Sequence, residues 1–236
     1  MNARLVILGT FLLTTSAVTA QIQPMIAGAG ATYNSPVGSL HGRFKSAVGG
    51  MIFAGVQTSP RWTWVGKFEY FELSTLNTDQ LFKTVNLQEG GGSQTYRVPL
   101  SKLTMNLKAA GFTAEAALSL LKWNSLEAST HVGFGFYTWD NYRGACYDSL
   151  LVQSSVTGKT ITIAHLTVPD NRQTDWSGSI NAGIDGGLKI TEQVWFTAGV
   201  DYRLIVGELW QALDLDLESV SGMQTIAIRA GIKVEF

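Results

Sequence analysis

From Met223 to Phe236 apolar and polar residues alternate without a break. Gln224, Ile226, Ile228, Ala230, Ile232, Val234 and Phe236 take one side, and Met223, Thr225, Ala227, Arg229, Gly231, Lys233 and Glu235 take the other. A period of two places successive side chains on opposite faces of a strand. One face is therefore aliphatic and aromatic, the other carries charge, and the segment stops on an aromatic residue. A chain whose last strand is built this way must bury or solvate two unlike faces of one sheet.

The opposite end reads as an export signal. Asn2, Ala3 and Arg4 form a short basic segment, Leu5 to Val18 an apolar run, and Val18-Thr19-Ala20 a small-residue cleavage site before Gln21. The division expected is 1–20 signal peptide and 21–236 a single domain. The apolar run is shorter than the ~20 residues a spanning helix needs. Without a Cys at Gln21 a lipoprotein anchor is not expected. With 17 Lys+Arg against 18 Asp+Glu and no basic cluster, nucleic acid is not an expected partner. The single Cys146 leaves no intrachain disulfide and reads as a small residue in an exposed loop.

Further strands recur along the chain. A first one starts at Met25 and gives way to turn residues at Asn34-Ser35-Pro36-Val37-Gly38. Val48 to Thr58 and Trp62 to Tyr70 follow, separated by Ser59-Pro60. Leu126 to Trp139, Trp176 to Ile190 and Val194 to Val206 each show the same split into a greasy and a charged face. Thr75 to Tyr96, with Glu89-Gly90-Gly91-Gly92-Ser93, reads as a flexible polar connection. Leu150 to Val156 and Thr160 to Val168, around Thr157-Gly158-Lys159, predict a projecting hairpin. Leu100 to Trp123 is ambiguous. Leu103, Met105, Leu107 and Ala109 hold the apolar face at odd positions, then Phe112, Ala114, Ala116, Leu118 and Leu120 at even ones. A bulge near Ala110-Gly111 would produce that slip, whereas Ala114 to Leu121 alone could be a short amphipathic helix.

Connection lengths decide between a sandwich and a barrel. Ser59-Pro60, Asn124-Ser125 and Thr191-Glu192 are minimal turns, while 34–46, 75–95, 140–175 and 207–221 are long, and the two kinds alternate. A closed up-and-down barrel sorts its loops to opposite rims in this way. An even strand count is required, and one bulged strand over Leu100 to Trp123 makes it about eight, with ten as the alternative. The expected fold is all-β: a transmembrane antiparallel up-and-down barrel with extended external loops.

The alternating strands, sorted loops, export signal and terminal Phe236 together resemble the small Gram-negative outer-membrane β-barrels of the OmpA-like, OmpX-like and OmpW-like class. That resemblance implies insertion by the barrel assembly machinery through the closing strand. It also implies contact with outer-membrane lipid and lipopolysaccharide, and a role at the cell surface that needs no cofactor.

Candidate chemistry is sparse. Glu127 and His131 lie four apart on one face, and Thr197 and Asp201 repeat the spacing; an inward acid and imidazole could serve hydrolysis. A charge-pairing network of Glu127, Asp185, Asp201, Glu235, Lys67, Lys189, Arg203, Arg229 and Lys233 inside a narrow lumen is the favoured reading. His41 and His165 have no partner spacing. Asp214, Asp216 and Glu218 could meet a divalent cation but read as a solvated strand extension. Gly28 and Gly30 lack the rest of a nucleotide fingerprint. No catalytic, cofactor or metal residues are assigned. The expected function is a non-enzymatic surface-interaction protein, with a narrow pore as the alternative and a lipid- or peptide-cleaving enzyme third. Inward Met51, Phe53 and Trp195 argue for a blocked interior. Ile228→Arg is expected to harm the fold more than Thr225→Arg.

Overall fold

The structure, a computed structural model, describes residues 24–89, 92–100, 102–153, 158–210 and 215–236. The segment 1–20, expected to be an export signal, lies outside them. Among the described residues are strands β1 (Met25–Val37), β2 (Ala47–Gln57), β3 (Trp62–Leu73), β4 (Phe82–Glu89), β5 (Gly92–Pro99) and β6 (Met105–Trp123). After these come β7 (Leu126–Arg143), β8 (Cys146–Gln153), β9 (Thr160–Val168), β10 (Asn171–Lys189), β11 (Val194–Leu209) and β12 (Val220–Glu235). Eight of them close into an antiparallel barrel in the order β1-β12-β11-β10-β7-β6-β3-β2. The seam is a full ladder in which Gly28 faces Lys233 and Tyr33 faces Ile228. At its end the Phe236 N–H donates to the Met25 carbonyl at 2.9 Å. No helix among the described residues is long and apolar enough to cross a membrane.

Short turns gather at one rim, between β2 and β3, β6 and β7, and β10 and β11; the long connections and the two extra hairpins lie at the other. The hairpin β8–β9 stands where the sequence predicts it. Its turn residue Gly158 takes a left-handed φ of +68°, while Thr157 lies outside the described residues. The connection expected over Thr75 to Tyr96 is instead partly ordered as β4–β5, paired from Phe82↔Pro99 to Glu89↔Gly92; Gly90 and Gly91 lie outside the described residues. First-strand pairing also extends past the expected turn residues to Val37. Pro36 is tolerated there because a missing donor costs little next to the end of a ladder.

Towards the short-turn rim the outer surface is apolar. Ile52, Phe68, Phe112, Val132, Phe134, Ile180, Ile184 and Ile228 are 45–68 % exposed. Water does not tolerate a continuous belt of this kind on a monomer, whereas hydrocarbon does, because every strand of a closed barrel has its backbone groups paired. Aromatic rings border the belt. On β3, Trp62 and Tyr70 are eight residues apart, which is ~21 Å along the axis at 3.4 Å per residue and a tilt of ~40°. That matches the ~25 Å band between aromatic girdles. The wall is taller than the belt. β6 and β10 have 19 residues each, so they rise ~50 Å by the same arithmetic and stand well clear of the bilayer.

The strand β6 corrects the expected slip. It is a strand throughout, not a helix at 114–121, and its pairing to both neighbours runs unbroken through Ala110 and Gly111. The one irregularity lies between Ser119 and Leu121. Leu107, Ala109, Thr113 and Glu115 all point inward and are 1–4 % exposed. The apolar residues change side because the barrel interior itself changes character with height.

Candidate functional site

The lumen has three storeys. Nearest the short-turn rim is a cavity of about 140 Å³ lined by Met51, Phe53, Lys122, Glu127, Thr197 and Lys233, among others. Its large side chains fit because glycine stands beside them on the neighbouring strand. A Cβ on Gly28 would lie 2.4 Å from the Phe53 ring.

Above it lies a network of paired charges. Lys67 is 1 % exposed; its ammonium contacts Glu115 and sits 3.2 Å from Asp201 Oδ2 and 3.7 Å from Glu69 Oε1. Arg229 bridges Asp201 at 3.1 Å and Asp185 at 2.8 Å. His131 lies between the same two carboxylates, Nε2 2.5 Å from Asp201 and Nδ1 3.0 Å from Asp185, with hydrogen-bond geometry met on the Asp201 side alone. Asn181 Nδ2 donates to Glu115 at 2.5 Å. One step further, Glu69 Oε2 accepts from Arg203 Nη2 and from the Tyr137 hydroxyl, both at 2.6 Å. The Tyr137 ring is seated by its cross-strand partner Gly111, where a Cβ would lie 2.4 Å from the ring carbons. Burial of this many charges is tolerated only because each meets an opposite charge or a hydrogen-bond partner.

The third storey is an apolar core that fills the external half. Phe71, Leu73, Leu107, Trp139, Ile205 and Leu209 point into it from the wall, all 2 % exposed or less. Connecting segments complete it. Gly38 turns the chain with φ +59° into a one-turn 3-10 helix, Gly38–Leu40, that delivers Leu40, and Phe44 follows. Leu81, Leu100, Leu103 and Leu215 come from the other long connections. The Trp139 indole N–H donates to Ser177 Oγ at 2.8 Å, so no polar atom of that ring is stranded.

Most expected network members are there, and three others join them. Lys67, Asp185, Asp201, Arg203 and Arg229 converge as above, Lys233 pairs with Glu127 and Glu235 at the lower rim, and His131, expected only as an inward candidate base, is part of the same cluster. Lys189 does not join; it pairs with Glu192 in the turn at 2.9 Å. Glu69 and Glu115 were missed as network members. Their signal was a lone carboxylate at an inward position between outward-facing residues, Phe68 and Tyr70 in one case, Ala114 and Ala116 in the other. Glu127 and His131 do not form a pair with each other: Glu127 is engaged by Lys233 and His131 by two aspartates. Glu115, His131 and Asp201 place ligand atoms within 4.8 Å of one another. The Lys67 ammonium already bridges Glu115 and Asp201, so a divalent ion would have to displace a resident cation.

Outside the lumen, His165 has a partner after all: Ser149 Oγ lies 3.2 Å from its Nδ1, and Tyr147 stacks on the ring at 5.8 Å. His41 receives the Asn77 amide on its carbonyl at 2.8 Å. Asp216 is not part of a strand extension. It adopts a left-handed φ of +55° and accepts the Thr84 N–H at 2.8 Å; Asp214 lies outside the described residues. Cys146 is not in an exposed loop but starts β8, half-buried against the external core.

Among solved structures the chain is similar to a major outer membrane protein from Thermus thermophilus. That match has a TM-score of 0.53 and 6 % identity, covering 90 % of this chain and 99 % of that one. The fold is that of an outer-membrane β-barrel. Neisserial surface protein A is similar at a TM-score of 0.49 and 15 % identity, over 90 % of this chain and 97 % of that one. Ail, the attachment invasion locus protein of Yersinia pestis, matches at 0.44 and 10 % identity, over 91 % and 99 %. No family model and no curated protein matches the chain. The fold accounts for the apolar belt as the surface that a barrel of this kind turns to lipid.

Proposed function

We propose that this chain is an integral protein of a Gram-negative outer membrane with a sealed lumen, and that it acts non-enzymatically through its external platform. The observation carrying this reading is the apolar third storey. Residues from five wall strands and all four long connections close the external half of the barrel above a layer of mutually neutralised charge. An ion crossing it would be stripped of water against Phe71, Leu107 and Trp139 at a cost no pore accepts. What remains available to partners is the external surface: β4–β5, β8–β9 and the rim between them, with Tyr147 61 % and Leu151 54 % exposed. His131, 4 % exposed between two carboxylates, serves the network in this reading. Lipopolysaccharide and outer-membrane lipid surround the belt, and the assembly machinery reads β12 with its terminal Phe236.

Planar-bilayer recording of refolded protein tests the central point. A silent bilayer is expected, and stepwise conductance from the wild-type chain would overturn the sealed-lumen reading in favour of a small-solute pore. The cavity at the short-turn rim is the feature that favours that second reading, since it is half of a channel. Deleting Phe236 should lower surface levels in cells while leaving refolding in detergent intact; unchanged levels would remove the assembly-signal role.

A further inference from the structure

Nearly every charge inside this barrel meets its opposite. Among the described residues, two cations at the external mouth do not. Arg43, from the connection between β1 and β2, is 4 % exposed, yet its Nη2 donates only to main-chain carbonyls, Trp210 O at 3.2 Å and Glu218 O at 2.5 Å. Arg143, the last residue of β7, has a buried Nε without a hydrogen-bond partner. Among the described residues neither guanidinium forms a salt bridge; nearby Asp148 is taken by Lys102 at 2.7 Å. The two side chains line one small pocket together with Met105, Asn141, Asn171, Gln173, Trp210 and Leu217. Burial first, and then the positive charge of Arg143, hold Arg43 down to about 10, consistent with two like charges lining one pocket.

We infer that this pocket is an oxyanion site, built to take one phosphoryl group between Arg43 and Arg143 at the external end of the barrel. A planar guanidinium donates to two oxygens of a phosphate at once. Pre-binding Arg43 by two carbonyls holds its remaining N–H donors in place, which reduces what must be ordered when the anion arrives. The free space, about 20 Å³, is that of an ordered water or one anion oxygen, so a phosphoryl group would insert one oxygen and keep its phosphorus and remaining oxygens at the mouth. The mouth is open, with Trp210 60 % exposed and Asn171 exposed beside it, so the rest of a phosphorylated molecule can stay outside. Asn141 has a buried Oδ1 with no donor; turning that amide presents its NH2 instead. The same chemistry is available from a phosphorylated lipid headgroup in the outer leaflet and from free phosphate.

Inorganic phosphate titrated into the refolded full chain, followed by calorimetry in zwitterionic detergent, is the primary experiment. Saturable binding is expected, weakened about tenfold or more by Arg143→Gln, since a hydrogen bond between charged partners is lost. Lys45→Gln, an exposed cation on the same connection paired with Asp79, should change nothing. Heat-dependent gel migration equal to wild type establishes that Arg143→Gln is folded, and the variant keeps both Arg43 hydrogen bonds. Displacement of phosphate by lipopolysaccharide, but not by its dephosphorylated form, identifies the headgroup as the source. Binding that neither form displaces identifies free phosphate. An absence of saturable phosphate binding, or equal affinity in Arg143→Gln, overturns the inference. Neither outcome depends on whether the lumen conducts.

Discussion

Lower and upper halves of the same strands obey opposite rules. On β6, Thr113 and Glu115 face inward beneath Met105, Leu107 and Ala109, while outward positions run from Ala116, Ala114 and Phe112 up to Lys108 and Asn106. On β3 the inward residues change from Lys67 and Glu69 to Phe71 and Leu73. On β11 they change from Asp201 and Arg203 to Ile205 and Leu209. The change falls along a row of Cα partners, Tyr70, Ala110, Thr138 and Trp176. Below that row the surroundings are hydrocarbon and polarity must hide inside; above it they are water and the ordinary rule of an apolar core returns. Period two is unbroken, and only the meaning of the two faces is exchanged.

Five substitutions would break or sharpen that contrast. The largest loss is expected from Lys67→Met, which strands Glu115 and Asp201 in the lower interior: about 3–5 kcal/mol by urea unfolding in vesicles, with part regained by adding Glu115→Gln. In the upper interior Leu107→Ala should cost about 2–5 kcal/mol through its cavity, and should not respond to salt. A matched pair on the outer wall comes next. Ile228→Arg, inside the belt, should cost about 2–4 kcal/mol, whereas Val206→Arg, 61 % exposed on neighbouring β11 and beyond the change between Arg203 and Ile205, should cost at most about 1 kcal/mol. Equal penalties would mean the belt ends elsewhere. The smallest effect is expected from Lys45→Ala, whose exposed pairing with Asp79 at 3.4 Å is worth under about 1 kcal/mol and fades with salt.

The closed fold was legible because two signals survive any environment: alternation, and the sorting of short and long connections. What was not legible is where the environment itself changes. Leu103 to Ala109 looked like a lipid-facing run displaced by a bulge, since apolar residues were taken to face outward everywhere; they are core instead. Thr225→Arg looked mild because the inward neighbours of Thr225 follow from register and not from alternation. Thr225 is 1 % exposed and lies opposite Arg203, so a second guanidinium there would meet a like charge in a closed space, and its cost should rival that of Ile228→Arg. The hairpin β4–β5 escaped notice because Lys83, Asn86 and Gln94 interrupt its alternation. Of the ion network, the cations were readable from the sequence, but their partners Glu69 and Glu115 only emerge once registers are known.

Seven of the eight ladders in this barrel join strands that follow one another around the wall, three of them through turns of a few residues. The eighth, β1 to β12, brings together residues such as Ala29 and Ile232, some two hundred positions apart. Tethering ends that far apart costs ~2–3 kcal/mol more than a ten-residue link, at ~0.6 kcal/mol per doubling. Until it zips, two edges stay unpaired beside hydrocarbon. A half-inserted chain is therefore an open clasp, and the final ladder is the latch that makes insertion hard to reverse.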